Sequence, residues 1–216
     1  MNYYITYFEI AAFLASLGAW HITWKSKYMR LFPILLFVIV SLEIYETFFR
    51  PAAQINNATI YNFQIPLQHL IYLAILYYAL DRPGPRKFIL FESISFLLFT
   101  IISGIFLTPN RHFNVLSYCF GSVSIIIGII LKFYEMLKNP IEFNFLRKPF
   151  FYMLFAFLLF NVGTLPYFAM GNWLYSVKGY KNVIIILQNV MSILNYILYS
   201  TYTIAFVWMI RKKAYS

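Results

Sequence analysis

Apolar runs of spanning length follow one another along the chain near residues 3–22, 31–49, 60–80, 88–107, 113–136, 149–169 and 183–209. Each is close to the ~20 residues that an α-helix needs to cross a hydrocarbon layer at a rise of ~1.5 Å per residue. The intervening segments "TWKSKYMR", "RPAAQINNAT", "DRPGPRK", "TPNRH", "LKNPIEFNFLRK" and "GNWLYSVKGYKN" are rich in Pro, Asn, Gly and basic residues, as connectors outside lipid should be. The pattern predicts an all-α, polytopic membrane bundle of seven transmembrane helices. Residues 1–216 read as a single transmembrane domain, because no connector has room for a soluble one. The first run begins near Tyr3 with no Lys or Arg before it and no small-residue cleavage site after it, so it is expected to stay as a helix.

Composition agrees: 62% of residues are hydrophobic and 11% charged, against about a quarter charged in soluble domains. The cations then orient the bundle, since short cytoplasmic loops retain Lys and Arg. Thirteen fall on one side (Lys25, Lys27, Arg30, Arg82, Arg86, Lys87, Lys132, Lys138, Arg147, Lys148, Arg211, Lys212, Lys213) and four on the other (Arg50, Arg111, Lys178, Lys181). This predicts an N-terminus outside and a C-terminus in the cytoplasm. The +10 net charge is thereby spread over cytoplasmic connectors, which points to anionic lipid head groups as partner and away from nucleic acid. Trp20, Trp24 and Trp208 fall near the same side, where amphipathic rings favour the interface. A single cysteine, Cys119, rules out an internal disulfide and a cysteine metal site. Asn57-Ala-Thr59 matches a glycosylation sequon on the outer side, a tripeptide common by chance.

Glu43 and Glu46 interrupt the second run, "VIVSLEIYETFF". By the helical rise Glu43 lies ~9 Å and Glu46 ~5 Å below its outer end. An acid at mid-membrane costs roughly 3 kcal/mol, against about 0.3–0.6 kcal/mol returned by each Ile, Leu, Phe or Val, so both carboxylates call for water, partners or a proton. Other spans carry polar groups at matching depth: Glu9 in span one, Gln64, Gln68 and His69 in span three, Asn161 and Thr164 in span six, Gln188 and Asn189 in span seven. Tyr61, Gln64, Gln68 and Tyr72 share one helical face, as do Gln188, Ser192, Asn195, Tyr199 and Thr203. Such stripes turn away from lipid. The expected result is a ligand-binding or proton-relay pocket in the outer half, built from Glu9, Glu43, Glu46, Gln64, Gln68, His69, Asn161, Gln188 and Asn195. The alternative is interhelical hydrogen bonding, worth ~1 kcal/mol per bond. Glu43, Glu46 and His69 lack a recognised metal-ligand spacing, and no cofactor is expected.

Elsewhere the signals are structural. Ser117, Gly121, Ser124 and Gly128 form a small-residue face that permits close helix approach. Glu92 is expected to snorkel toward Arg86 or Lys87, and Pro66 and Pro166 to kink spans three and six.

Span two follows "YMRLFP" and span six follows "FLRKPF", which suggests helices one to three and five to seven as parallel copies around span four. That 3+1+3 plan resembles small sugar transporters and, more distantly, opsins, although the proline-glutamine motif of the former and the span-seven lysine of the latter are missing. "YFEIAAFL", "LEIYETFF" and "IYNFQIPLQHLIYL" resemble a family of uncharacterised seven-span proteins of Bacteroidota over nearly the whole chain. That resemblance brings no activity and implies a bacterial inner membrane.

Three function classes are consistent with these features. A small-ligand-sensing module would need a cytoplasmic signalling partner, since no catalytic domain fits the loops. A small-solute transporter would use Glu43 for proton coupling. An intramembrane enzyme, with Glu43 and His69 as acid and base, ranks last, because no serine-histidine, paired-aspartate or zinc motif supports it. Sensing is preferred, because the polar residues sit toward one face of the membrane and not at its middle.

Overall fold

A computed structural model describes residues 3–46, 57–107, 112–138, 145–174 and 180–214, and these are all-α. Eight α-helices lie among them: α1 (Tyr3–Gly18), α2 (Trp20–Thr23), α3 (Leu31–Ile44), α4 (Asn57–Ala79), α5 (Pro83–Ile102), α6 (Val115–Lys138), α7 (Pro149–Leu174) and α8 (Tyr180–Ala214). A π turn, Ser103–Leu107, extends α5, and a 3₁₀ turn, Phe145–Arg147, leads into α7.

Length and composition together qualify four stretches as membrane spans, Pro83–Leu107, Val115–Lys138, Pro149–Met170 and Asn182–Lys212, and not seven. The physical reasons differ for the other three expected spans. Helix α1 breaks at Ala19 before the single turn of α2, and α3 runs regularly for 14 residues before a π turn at Tyr45 and Glu46. Helix α4 has the length, 23 residues, but its face carries Gln64, Gln68, His69 and several tyrosines and lowers its hydropathy. The outer part of the second run (Phe48, Phe49), Arg50, Arg111 and Lys178 lie outside the described residues, as does Asn56 beside the sequon. Helices α4 and α7 each continue through their internal proline, Pro66 and Pro166.

The helices pack in a closed circuit. Helix α1 lies on α3, α3 on α4, α4 on α6, α6 on α7, α7 on α8, and α8 returns to α1. Helix α5 stands outside that ring, against α4 and α6 alone among these neighbours. We call the end of the bundle where α1 begins the upper end. The lower half of the ring is solid: Phe32, Leu35, Leu36, Leu73, Leu76, Tyr202 and Phe206 are all at most 1% exposed. Phe32 stands edge-on to Tyr202 and Phe206 with ring centroids 5.6 and 6.4 Å away.

Close approach on α6 rests on its glycines. A Cβ at Gly128 would lie 2.8 Å from Leu76 Cδ1 and 3.0 Å from Ile89 Cδ1, so only hydrogen fits where α6 meets α4 and α5. Ser117 shares a 2.6 Å hydrogen bond with Thr100, and Ser124 donates a 2.7 Å bond to Glu92 Oε2. Glu92 therefore turns inward to α6 and does not snorkel toward Arg86 or Lys87. A seryl donor held across a helix contact satisfies the acid without a long excursion to the membrane surface.

At the lower end the α4–α5 turn is fastened to α6. Glu135 accepts the backbone N–H groups of Asp81 and Arg82 at 2.9 and 3.0 Å, filling donors at the start of α5. Lys132, 5% exposed, reaches Asp81 at 2.7 Å and Glu135 at 3.7 Å. One of the thirteen cations on this side is thus consumed internally.

Candidate functional site

The upper half of the ring encloses a partly open cavity of about 210 Å³, and every ring helix contributes to it. Helix α1 supplies Ile5, Thr6 and Glu9; α3, Ile39 and Glu43; α4, Tyr61, Gln64, Ile65, Gln68, His69 and Tyr72; α6, Tyr118; α7, Phe157, Phe160, Asn161 and Phe168; α8, Met191, Asn195, Leu198 and Tyr199. No residue of α5 takes part. The spacing on α4 explains its large share. Tyr61, Gln64, Ile65, Gln68, His69 and Tyr72 recur every three or four residues, one continuous helical face.

Of the residues expected in an outer pocket, Glu9, Glu43, Gln64, Gln68, His69, Asn161 and Asn195 line this cavity, and Glu46 and Gln188 do not. Gln188 is exposed, turned away from the recess that its neighbour Met191 lines. Glu46 is buried beside the cavity, where the Tyr61 hydroxyl donates to its Oε2 at 2.6 Å. One turn of helix separates it from Glu43, yet the π geometry at Tyr45 and Glu46 redirects its side chain.

The two lining acids have different settings. Glu9 is 3% exposed and lies beside Tyr199 and near enough to Glu43 for their charges to repel. Its Oε2 is buried without a hydrogen-bond partner among the described residues. Glu43 is half-buried and lies between Glu9 and Glu46. No lysine or arginine lines the cavity, so nothing in its wall neutralises the pair.

The amides and the imidazole are constrained by their own helices. Asn161 Nδ2 donates to Phe157 O at 2.9 Å and Asn195 Nδ2 to Met191 O at 3.0 Å, which leaves their amide oxygens for the cavity. His69 Nδ1 lies 2.8 Å from Ile65 O and must carry the proton there, and Nε2 lies 3.3 Å from Ser122 Oγ, as acceptor from that hydroxyl. With the ring also stacked on Phe96 at 5.7 Å, His69 serves as a packed wall residue with both nitrogens occupied. Tyr72 forms the floor: its ring stacks on Phe157 at 3.5 Å and its hydroxyl meets that of Tyr202 at 3.3 Å. Among the described residues no group of three or more His, Cys, Asp or Glu is placed to hold a metal ion.

Sequence reasoning passed over Thr6, Met191 and the aromatic wall of Tyr118, Phe157, Phe160 and Phe168. Phe157, Phe160, Asn161, Thr164 and Phe168 do recur at helical spacing. With 24 phenylalanines in the chain, however, aromatic periodicity alone singles out no face. Asn62 was also missed. It ties α4 to the start of α6, with Nδ2 donating to His112 O and Oδ1 accepting from Asn114 N–H, both at 2.8 Å. Comparison with protein-family models, curated proteins and solved structures returned no match, so the reading of the site rests on its own geometry.

Proposed function

We propose that the chain is a seven-crossing membrane protein that admits a small polar solute from the extracytoplasmic side into the cavity and signals its occupancy to a cytoplasmic partner. The observation that carries this reading is the convergence of six helices on one partly open recess, lined by a buried acid with an unpartnered oxygen. Buried polar atoms in native proteins are nearly always paired, and an intramembrane carboxylate is by default a functional group.

The upper end is the outside and the lower end the cytoplasm, in a bacterial inner membrane. Support comes from the cations. Lys25, Lys27, Arg30, Arg86, Lys87, Arg147, Lys148 and Arg211 all belong to the lower end, with Trp20 stacked on Trp24 at 4.9 Å beside them. The short α1 and α3 cross as part of the ring, where α4 and α8 cover their polar sides. The basic lower end meets anionic head groups and the signalling partner. The tightly packed layer of Phe32, Tyr202 and Phe206 below Tyr72 favours sensing over passage.

A transporter is the second reading, favoured by the register of the two halves. Shifted by 118 positions, Phe32, Leu35, Leu36, Ile39 and Glu46 of the α3 segment fall on Phe150, Met153, Leu154, Phe157 and Thr164 of α7, all buried, while Glu43 falls on Asn161. A shift of 126 takes Tyr72, Leu73, Leu76, Ala79 and Leu80 onto Leu198, Tyr199, Tyr202, Ala205 and Phe206. A shift of 109 takes Glu9, Ala12, Ser16, Ala19 and Thr23 onto buried positions Tyr118, Gly121, Ile125, Gly128 and Lys132. Parallel three-helix repeats around a shared site, with α5 as the linker outside, are a transporter plan.

The test is access. In a Cys119→Ser background, Gln68→Cys should react with a membrane-impermeant thiol reagent added outside intact cells and not with reagent confined to the cytoplasm. Labelling from neither side overturns the pocket. Labelling from both sides in turn moves the conclusion to transport.

A further inference from the structure

The geometry points to a small organic cation, an amine of one positive charge with an apolar body, as the solute that fills this cavity; the inference rests on the pocket reading above and adds its chemical class. The wall is acceptor-rich and negatively biased. Glu9 brings an oxygen with no partner, Glu43 sits close enough to repel it, and no basic side chain lines the recess. Asn161 and Asn195 each donate one amide N–H to a backbone carbonyl of their own helix, and their amide oxygens have no partner among the described residues. An ammonium supplies what these groups lack, several N–H donors and a positive charge.

The opposite wall decides against a bare metal ion, and the acids against a sugar-like solute. Phe157, Phe160, Phe168 and Tyr118 present aromatic surface, which attracts a partly desolvated organic cation through the ring quadrupole. A hydrated divalent cation needs six or more oxygen ligands and gains nothing from phenyl faces. A sugar-like solute could also rest a C–H face on these rings, but it carries no charge to meet the two acids. Size sets the upper limit, with a partly open recess of about 210 Å³. A short alkylammonium fits, and a bulky lipid head group with its chains does not.

By contrast, the ionic cluster of Asp81, Lys132 and Glu135 at the lower end is complete in itself, each charge facing an opposite one or a backbone donor. It offers no vacancy to a ligand. The cavity is where a countercharge is missing, since Glu9 and Glu43 line it and no lysine or arginine does.

The experiment compares n-butylammonium with its neutral and anionic counterparts, n-butanol and butyrate, and with Na⁺ and Ca²⁺, on protein in lipid nanodiscs at constant ionic strength. Binding is read by saturable thermal stabilisation and by ligand-observed NMR. The ammonium should saturate at a concentration at least tenfold below that of n-butanol, and butyrate should not bind. Glu9→Gln and Glu43→Gln should each raise that concentration tenfold or more. Asn195→Asp, which adds an acid to the wall without touching Glu9 or Glu43, should lower it, and this variant serves even where the glutamine variants fold poorly. Equal saturation by n-butanol, or saturation by Na⁺ or Ca²⁺ alone, or unchanged ammonium binding in all three variants, overturns the assignment. The thiol-access test separates the two levels. A Gln68→Cys that labels from outside while no ammonium binds leaves the pocket and removes the ligand class, whereas no labelling removes both.

Discussion

Gly121→Ala is the sharpest test of how the cavity wall is built. Gly121 lies where α6 crosses the His69 ring on α4 and the Phe96 ring on α5. A Cβ there would lie 2.8 Å from Phe96 Cε2 and would run into Cδ2 of His69. Phe96 is fully buried and stacked on Phe120, and His69 is fixed through both nitrogens, so neither ring is a free end that can swing aside. Overpacking of a filled core costs about 1–3 kcal/mol. Displacing the His69 ring would also give up its contact with Ser122, about 0.5–1.5 kcal/mol for a hydrogen bond. The expected loss is about 1.5–4.5 kcal/mol, or on the order of 3–18 °C in Tm for a chain of this size. Gly104→Ala is the matched control: the nearest atom to its added Cβ is Asn114 Nδ2 at 4.0 Å, an ordinary contact, and the change should stay within about 0.5 kcal/mol. Both are read by thermal unfolding in nanodiscs, with thiol access at Gln68→Cys reporting the cavity. A Gly121→Ala protein that melts with the wild type and labels at the same rate would refute the close α4–α6 crossing, and with it the placement of His69 in the wall.

Glu135→Ala leaves two backbone donors without their acceptor and Lys132 with Asp81 as its remaining carboxylate, so it should cost about 1–3 kcal/mol; Asp81→Asn, at a side chain 68% exposed, should cost under about 1 kcal/mol, and equal melting of the two variants would contradict the cluster. Asn62→Ala removes both ties to the start of α6, and hydrogen exchange at the Asn114 amide should accelerate at least tenfold while α8 amides are unchanged; no change at Asn114 refutes the tie. Tyr61→Phe deletes the donor to Glu46 and should destabilise by about 1.5–3 kcal/mol, the range for bonds to charged groups, whereas an unshifted melting curve would place Glu46 on other support.

The boundary between sequence and fold is visible in particular residues. Helix positions, the apolar class and the α6 small-residue face could be read directly, since local periodicity and volume are properties of neighbours in the chain. So could the acids and amides that cannot face hydrocarbon: Glu9, Glu43, Gln64, Gln68, His69, Asn161 and Asn195 all line one recess. What the chain alone determined was therefore which groups must be hidden. Tertiary structure decided from what, and against what. It set α5 outside the ring, turned Glu46 to Tyr61 and Glu92 to Ser124, left Gln188 exposed, and chose seven of the many phenylalanines and tyrosines to line the recess. Each of these depends on which helices are neighbours and on their rotation, and long-range packing sets both, whereas a 3.6-residue repeat only says that a face exists.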